Sequence, residues 1–119
     1  MMNIIPILRI FDVEKAKEFY VQWLGFQVDW EHRYGDNFPL YLQISKGPLK
    51  IHLSEHYGDG TPGTKVFIDY TDNLENWQQQ LLAAQYKYYR PGLEDAPWGA
   101  KTMSIIDPFG NTLLFSQQT

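Results

Sequence analysis

The sequence predicts an α+β fold made of two tandem βαβββ modules. Three observations carry that prediction. Short β-branched or aromatic runs read as strands, two helical stripes each follow an Asp, and the same order of elements occurs twice at an offset of about half the chain. The length, 119 residues, suits one domain of paired modules. A chain of this size buries roughly two thirds of its unfolded surface, enough for a real core.

Ile4 to Phe11 is an apolar run and reads as the first strand. Asp12 then stands at a helix N-cap. Val13, Ala16, Phe19, Tyr20, Trp23 and Leu24 fall on one helical face, and Gly25 stops the helix. Phe26 to Arg33 begins as a second strand, and Gly35, Asp36, Asn37 and Pro39 turn the chain. Leu40 to Ser45 is a third strand. Leu49 to Ser54 is a fourth, alternating Leu49, Ile51 and Leu53 with Lys50, His52 and Ser54. The glycine-rich stretch around 58–63 reads as a linker between a module of about 1–57 and one of about 64–119. In the second module Lys65 to Tyr70 is a strand, Asp72 a cap, and Leu74, Trp77, Leu81 and Ala84 a helical stripe. Gln85 to Tyr89 reads as a strand, Arg90 to Gly99 as a loop, and Lys101 to Ile106 as a strand. Asp107 to Asn111 is a turn and Thr112 to Ser116 the last strand. Superposing the modules places Asp12 on Asp72, Phe26 on Tyr86 and Val28 on Tyr88.

Composition narrows the function. With no cysteine, thiol chemistry, disulfide scaffolds and cysteine-based zinc or iron–sulfur sites are excluded. Ten basic against 14 acidic residues argue against nucleic acid as a partner and suit a cationic ligand. No apolar run reaches the roughly 20 residues that span a membrane. The opening Met-Met-Asn-Ile-Ile-Pro lacks a basic leader, so the expected location is cytoplasmic. Aromatic content is high, with 4 Trp, 8 Tyr and 7 Phe, which favours recognition of flat or cationic groups by ring faces.

Two stretches carry a family resemblance. Leu8-Arg9-Ile10-Phe11-Asp12, followed by Phe19-Tyr20 and Leu24-Gly25-Phe26, is the first. Asp107-Pro108-Phe109-Gly110-Asn111 before the last strand is the second. The chain resembles the vicinal-oxygen-chelate superfamily of glyoxalases, extradiol dioxygenases and antibiotic-resistance proteins. Within it, Pro97-Trp98-Gly99, His52-Leu53-Ser54-Glu55-His56 and Asp59-Gly60-Thr61-Pro62-Gly63 are most similar to the bleomycin-resistance group. The resemblance implies the glyoxalase/bleomycin-resistance fold and a homodimer, often strand-swapped, with ligand crevices at the subunit interface. It also implies sequestration of a bulky, cationic, bleomycin-like glycopeptide without catalysis.

The superfamily's enzymes hold a divalent metal through His or Glu at four strand positions. The resemblance carries these onto Ile5, His52, Val66 (with Lys65 as its neighbour) and Leu114. Aliphatic side chains have no lone pairs to donate, so no metal or other cofactor is expected. The resemblance implies ligand contacts at Trp30, Trp98 and Ser54, with Asp29 adjacent and either Tyr34 or Phe38 as a further aromatic. His52 is expected to point into the cleft, as a hydrogen-bonded pocket or core histidine or as a ligand contact. Trp98 also fits an interface or lid-packing role, and Trp23 and Trp77 fit the core. Asp29 and the loop acids Glu94 and Asp95 would favour positive charge. Ser54, His52 and Asp69 lack the Gly-x-Ser-x-Gly elbow of a nucleophile site, and Gly58-Asp59-Gly60 lacks the context of a phosphate loop. The competing readings are a metal-dependent lyase, isomerase or dioxygenase using His52, and a binder of an endogenous metabolite.

Overall fold

A computed structural model describes residues 2–119. It contains two four-stranded sheets, ordered β1-β4-β3-β2 and β5-β8-β7-β6. The strands are β1 (Ile7–Arg9), β2 (Gln27–His32), β3 (Tyr41–Lys46) and β4 (Leu49–Ser54), then β5 (Lys65–Asp69), β6 (Glu94–Ala96), β7 (Ala100–Ile106) and β8 (Thr112–Gln118). Helix α1 (Val13–Lys17) follows β1, and α2 (Leu74–Ala83) follows β5. The order is therefore βαβββ twice, the α+β arrangement expected. The chain divides into one compact unit of residues up to Thr64 with Pro108–Asn111, and another of Lys65–Asp107 with Thr112–Thr119.

In the first unit, Asp12 caps α1 by accepting a hydrogen bond from the Lys15 amide at 3.0 Å. The helix then rewinds: Glu18–Trp23 form a π-helical turn, closed by Leu24 N donating to Phe19 O at 3.0 Å. This shift keeps Phe19, Tyr20, Trp23 and Leu24 all buried. Together with Leu8, Leu42, Ile44, Ile51 and Leu53 they form the core, each large side chain contributing about 1.5–3 kcal/mol on full burial. β1 is shorter than the Ile4–Phe11 run because Pro6 has no amide to donate; its carbonyl still accepts from His52 N at 2.9 Å.

The opposite face of this sheet is polar. On it lie Tyr41, Gln43 and Ser45 of β3, paired with Ser54, His52 and Lys50 of β4. Strand β2 carries a bulge between Val28 and Trp30. Strict alternation would put Trp30 with Val28 on the core side. The bulge absorbs Asp29, so Trp30 pairs with Gln43 and His32 with Tyr41, and both join the polar face.

In the second unit, α2 is capped by Asn73, whose side chain accepts from the Asn76 amide at 3.0 Å, rather than by Asp72. Asp72 instead accepts from the amide of Asn73 at 2.8 Å. The strand expected over Gln85–Tyr89 is not formed. Gln85 takes φ of 56°, ending the helix, and its aromatic neighbours follow in a turn and irregular backbone. The first strand of the sheet's β6-β7-β8 meander is Glu94–Ala96, inside the stretch expected as a loop. Glu94 and Asp95 thus lie on an edge strand, and the superposition of Phe26 on Tyr86 and Val28 on Tyr88 does not hold. Tertiary pairing overrides the β propensity of the Tyr86–Tyr89 run, while acidic residues suit an exposed edge. Gly99 N donates to Ala96 O at 3.1 Å, so Pro97 and Trp98 form the turn of the β6–β7 hairpin. Trp23 and Trp77 are buried, as expected of core residues.

Candidate functional site

A hydrogen-bonded chain crosses the polar face of the first sheet. The Gln43 side-chain carbonyl can only accept, so His52 Nε2 donates to it (2.9 Å). His52 Nδ1 is then the bare nitrogen and accepts from the Tyr41 hydroxyl at 2.6 Å. Gln43 Nε2 donates onward to Asp29 Oδ2 at 3.0 Å, and Ser45 Oγ and Gln27 Nε2 donate to Asp29 Oδ1 at 3.0 and 3.2 Å. The bulge thus turns Asp29 into the acceptor that ends the network. Hydrogen bonds from Gln43 and Ser45 hold its carboxyl below the usual range. Burial lowers the His52 imidazole, favouring the neutral ring that the network requires. Burial, then the charge of Asp59, pushes the Tyr41 phenol up, so its hydroxyl stays a donor.

Above this network lies a cavity of about 530 Å³ lined by Trp30, His32, Tyr34, Tyr41, His56 and Asp59. Trp30 stacks parallel to Tyr41, with centroids 6.0 Å apart and planes within 12°, and meets His52 edge-on at 5.2 Å. Tyr34 stands perpendicular to both His32 (4.8 Å) and His56 (6.1 Å). Ser54 anchors the far wall: its hydroxyl donates to Asp59 Oδ2 at 2.8 Å and accepts from His56 N at 3.0 Å. Arg9 completes the anchor by donating through Nη1 to the His56 carbonyl. All three histidines of the chain therefore stand in or beside this cavity.

The sequence-predicted residues separate here. Trp30 and Tyr34 line the cavity, while Asp29 and His52 belong to the network beneath it. Ser54 is fully buried, with its hydroxyl engaged by the wall. Phe38 lies elsewhere, with Arg33, Asp36, Asn37, Pro39 and Glu55 around a second cavity of about 390 Å³. Trp98 belongs to the second unit, at its hairpin turn, and is 62% exposed. Sequence reasoning missed Tyr41, Gln43, His32, His56 and Asp59. The alternation of Tyr41, Gln43 and Ser45 with Leu42 and Ile44 was the available signal for the β3 face; the bulge hid which β2 residues join it.

The donor set does not fit a divalent metal. His52 pairs with Ile7 on β1, so its first-strand neighbour is Ile7 rather than Ile5, and its two ring nitrogens are engaged by Tyr41 and Gln43. In the second sheet Leu114 pairs with Phe67 of β5. Val66, opposite buried Leu113, faces the core, so the open-face neighbour of Leu114 is Phe67 instead. None of Ile7, Phe67 and Leu114 carries a donor atom. Among the described residues no group of three or more His, Cys, Asp or Glu is placed to hold a metal ion, and no helix is long and apolar enough to cross a membrane.

This fold and polar sheet face belong to a defined class: the family profile described as "Glyoxalase superfamily protein" matches residues 1–119, and the chain is a member of that family. Among its relatives, a bleomycin resistance protein from Geobacillus stearothermophilus is 24% identical over 135 residues, covering 99% of this chain and 98% of the relative. A Staphylococcus aureus bleomycin resistance protein matches equally. Among solved structures, a bleomycin-binding protein complexed with bleomycin aligns over 100% of both chains with a TM-score of 0.74 at 20% identity. The bleomycin-binding protein of Streptomyces verticillus, complexed with copper(II)-bleomycin, covers 100% of this chain and 98% of its own with a TM-score of 0.71 at 25% identity.

Proposed function

We propose that this protein binds a bleomycin-like glycopeptide, or another bulky, partly aromatic, cationic small molecule, and sequesters it without making or breaking bonds. The observation that carries the reading is the aromatic cavity over the Tyr41–His52–Gln43–Asp29 network: aromatic rings and the Asp59 carboxylate in the lining, Asp29 beneath it, and no Lys or Arg in the lining. Relatives with bleomycin resistance and bleomycin binding in their names support the ligand class. In this reading the modules of about 1–57 and 64–119 act as one cytoplasmic domain. It functions as a homodimer with its crevices at the subunit interface, and takes neither nucleic acid nor a membrane as partner. Trp30 and Tyr34 stack on flat groups of the ligand, Trp98 and Phe38 supply further aromatic contacts, and Asp29 favours positive charge. His52 orients Tyr41, and Ser54 holds the Asp59 wall in place.

The test is calorimetric titration of chelator-treated protein with metal-free bleomycin, with mass by light scattering. Micromolar or tighter binding at one or two ligands per dimer is expected. Trp30→Ala and Trp98→Ala should each cost about 1–3 kcal/mol in binding, the range of an aromatic anchor. An unchanged Kd would remove that tryptophan from the site, and absence of binding by an intact dimer would reject the ligand class.

A further inference from the structure

We infer that the cavity over the first sheet is an onium cage: a subsite for an alkylated cation, such as a quaternary ammonium, rather than for a primary amine or guanidinium. This inference deepens the reading above but rests on the cavity itself. Three aromatic rings, Trp30, Tyr34 and Tyr41, and two imidazoles border the space, with Asp59 as its only carboxylate. An ammonium with several N–H groups needs several acceptors. Such an ammonium is also strongly hydrated, and here the one carboxylate, Asp59, shares an oxygen with Ser54 while the Tyr41 hydroxyl gives its proton to His52, so few charged acceptors replace the lost water. What the lining offers in quantity is ring surface. An alkylated cation has no N–H to satisfy and is attracted to the negative faces of aromatic rings.

The neighbouring groups reinforce the assignment. Trp30 and Tyr41 are parallel with centroids 6.0 Å apart, too close to sandwich a guest, so a cation would meet the pair from outside. Tyr34 is perpendicular to His56 and to His32, giving walls in a second orientation. Arg9, the base tied to the His56 carbonyl, turns its guanidinium over Phe11 at 4.8 Å and lines a separate cavity of about 270 Å³. The full positive charge of a guest would therefore meet rings and Asp59, with no Lys or Arg in the lining.

The experiment titrates the full chain with choline and with its neutral carbon isostere, dimethylbutanol, at constant ionic strength. NMR follows the indole N–H signals, assigned with Trp30→Phe and Trp98→Phe. Choline should shift the Trp30 signal and bind about tenfold more tightly than the isostere. Tetramethylammonium should bind more tightly than methylammonium. Tyr34 is 76% exposed, so Tyr34→Leu leaves the fold intact and should cut the choline preference several-fold, as should Asp59→Asn. Equal binding of choline and isostere, methylammonium binding as tightly as tetramethylammonium, or full selectivity in both variants would each overturn the cage. Choline binding without bleomycin binding would keep the cage and reject the glycopeptide; the reverse would do the opposite.

Discussion

The open faces of the two sheets share a register and differ in chemistry. His52 lies between Ile7 of β1 and Gln43 of β3; Leu114 lies between Phe67 of β5 and Ser104 of β7. Ser54 lies between Arg9 and Tyr41; Ser116 lies between Asp69 and Thr102. Even the bonds beyond the strands correspond, with Ile10 N donating to Ser54 O at 2.9 Å and Tyr70 N to Ser116 O at 2.8 Å. On this common backbone the first face wires Tyr41, His52, Gln43 and Asp29 together, while the second leaves Phe67 and Ile106 about half exposed. The duplicated backbone supplies equivalent positions, and side-chain replacement at those positions decides which face can recognise a polar or charged ligand.

The two faces should differ most at the paired serines. Ser54→Ala removes the acceptor of His56 N and the donor to Asp59, and should cost about 1–3 kcal/mol in urea unfolding. Ser116→Ala removes no such pair of bonds and should stay within about 0.5 kcal/mol. Equal losses would show that the hydroxyl does not distinguish the two faces. His52→Leu, which copies Leu114 onto the first face, strands the Tyr41 hydroxyl and the Gln43 carbonyl beside water. It should cost about 1 kcal/mol in the same assay.

A smaller difference between the faces lies in their response to pH. Burial holds His52 below the ordinary imidazole value of about 6.5, so the unfolded chain takes up a proton that the folded chain resists. The corresponding stability is fully present above that value and is lost as pH falls from it through the lower folded-state value. Leu114 does not titrate. Urea unfolding across this window should therefore show a decline that His52→Leu flattens and Leu114→Ala leaves in place; a slope indifferent to His52→Leu would assign it to other groups. Asp29, held below the usual carboxylate range, loses its contribution only at more acidic pH.

Legibility along the chain followed how local each feature is. The Asp12 cap, the α1 stripe and strand β4 were readable because caps and period-two alternation are written in adjacent residues. Strand β6 was not, because Glu94 and Asp95 have no strand signature of their own and are held by pairing with Lys101 and Thr102. The site was readable at the level of residue type. Trp30 and Tyr34 stood out as aromatics beside turns and do line one cavity; Phe38, with the same local signature, lines another.

The repeated order of elements, the apolar stripes that make the core and the apolar chemistry of Ile5, Val66 and Leu114 were legible in the chain alone, although strand register moves two of those positions to Ile7 and Phe67. Periodicity and donor chemistry are properties of the chain, and they survive any folding. Tertiary pairing alone sets Trp30 and His32 facing Tyr41, makes Asp29 close a network begun at Tyr41, and brings Asp59 and His56 to wall the cavity. Those outcomes depend on one bulge in β2 and on bonds from Ser54 and Arg9 to the loop beyond β4. A shift of one residue reverses which side chains share a face, and no local pattern records it.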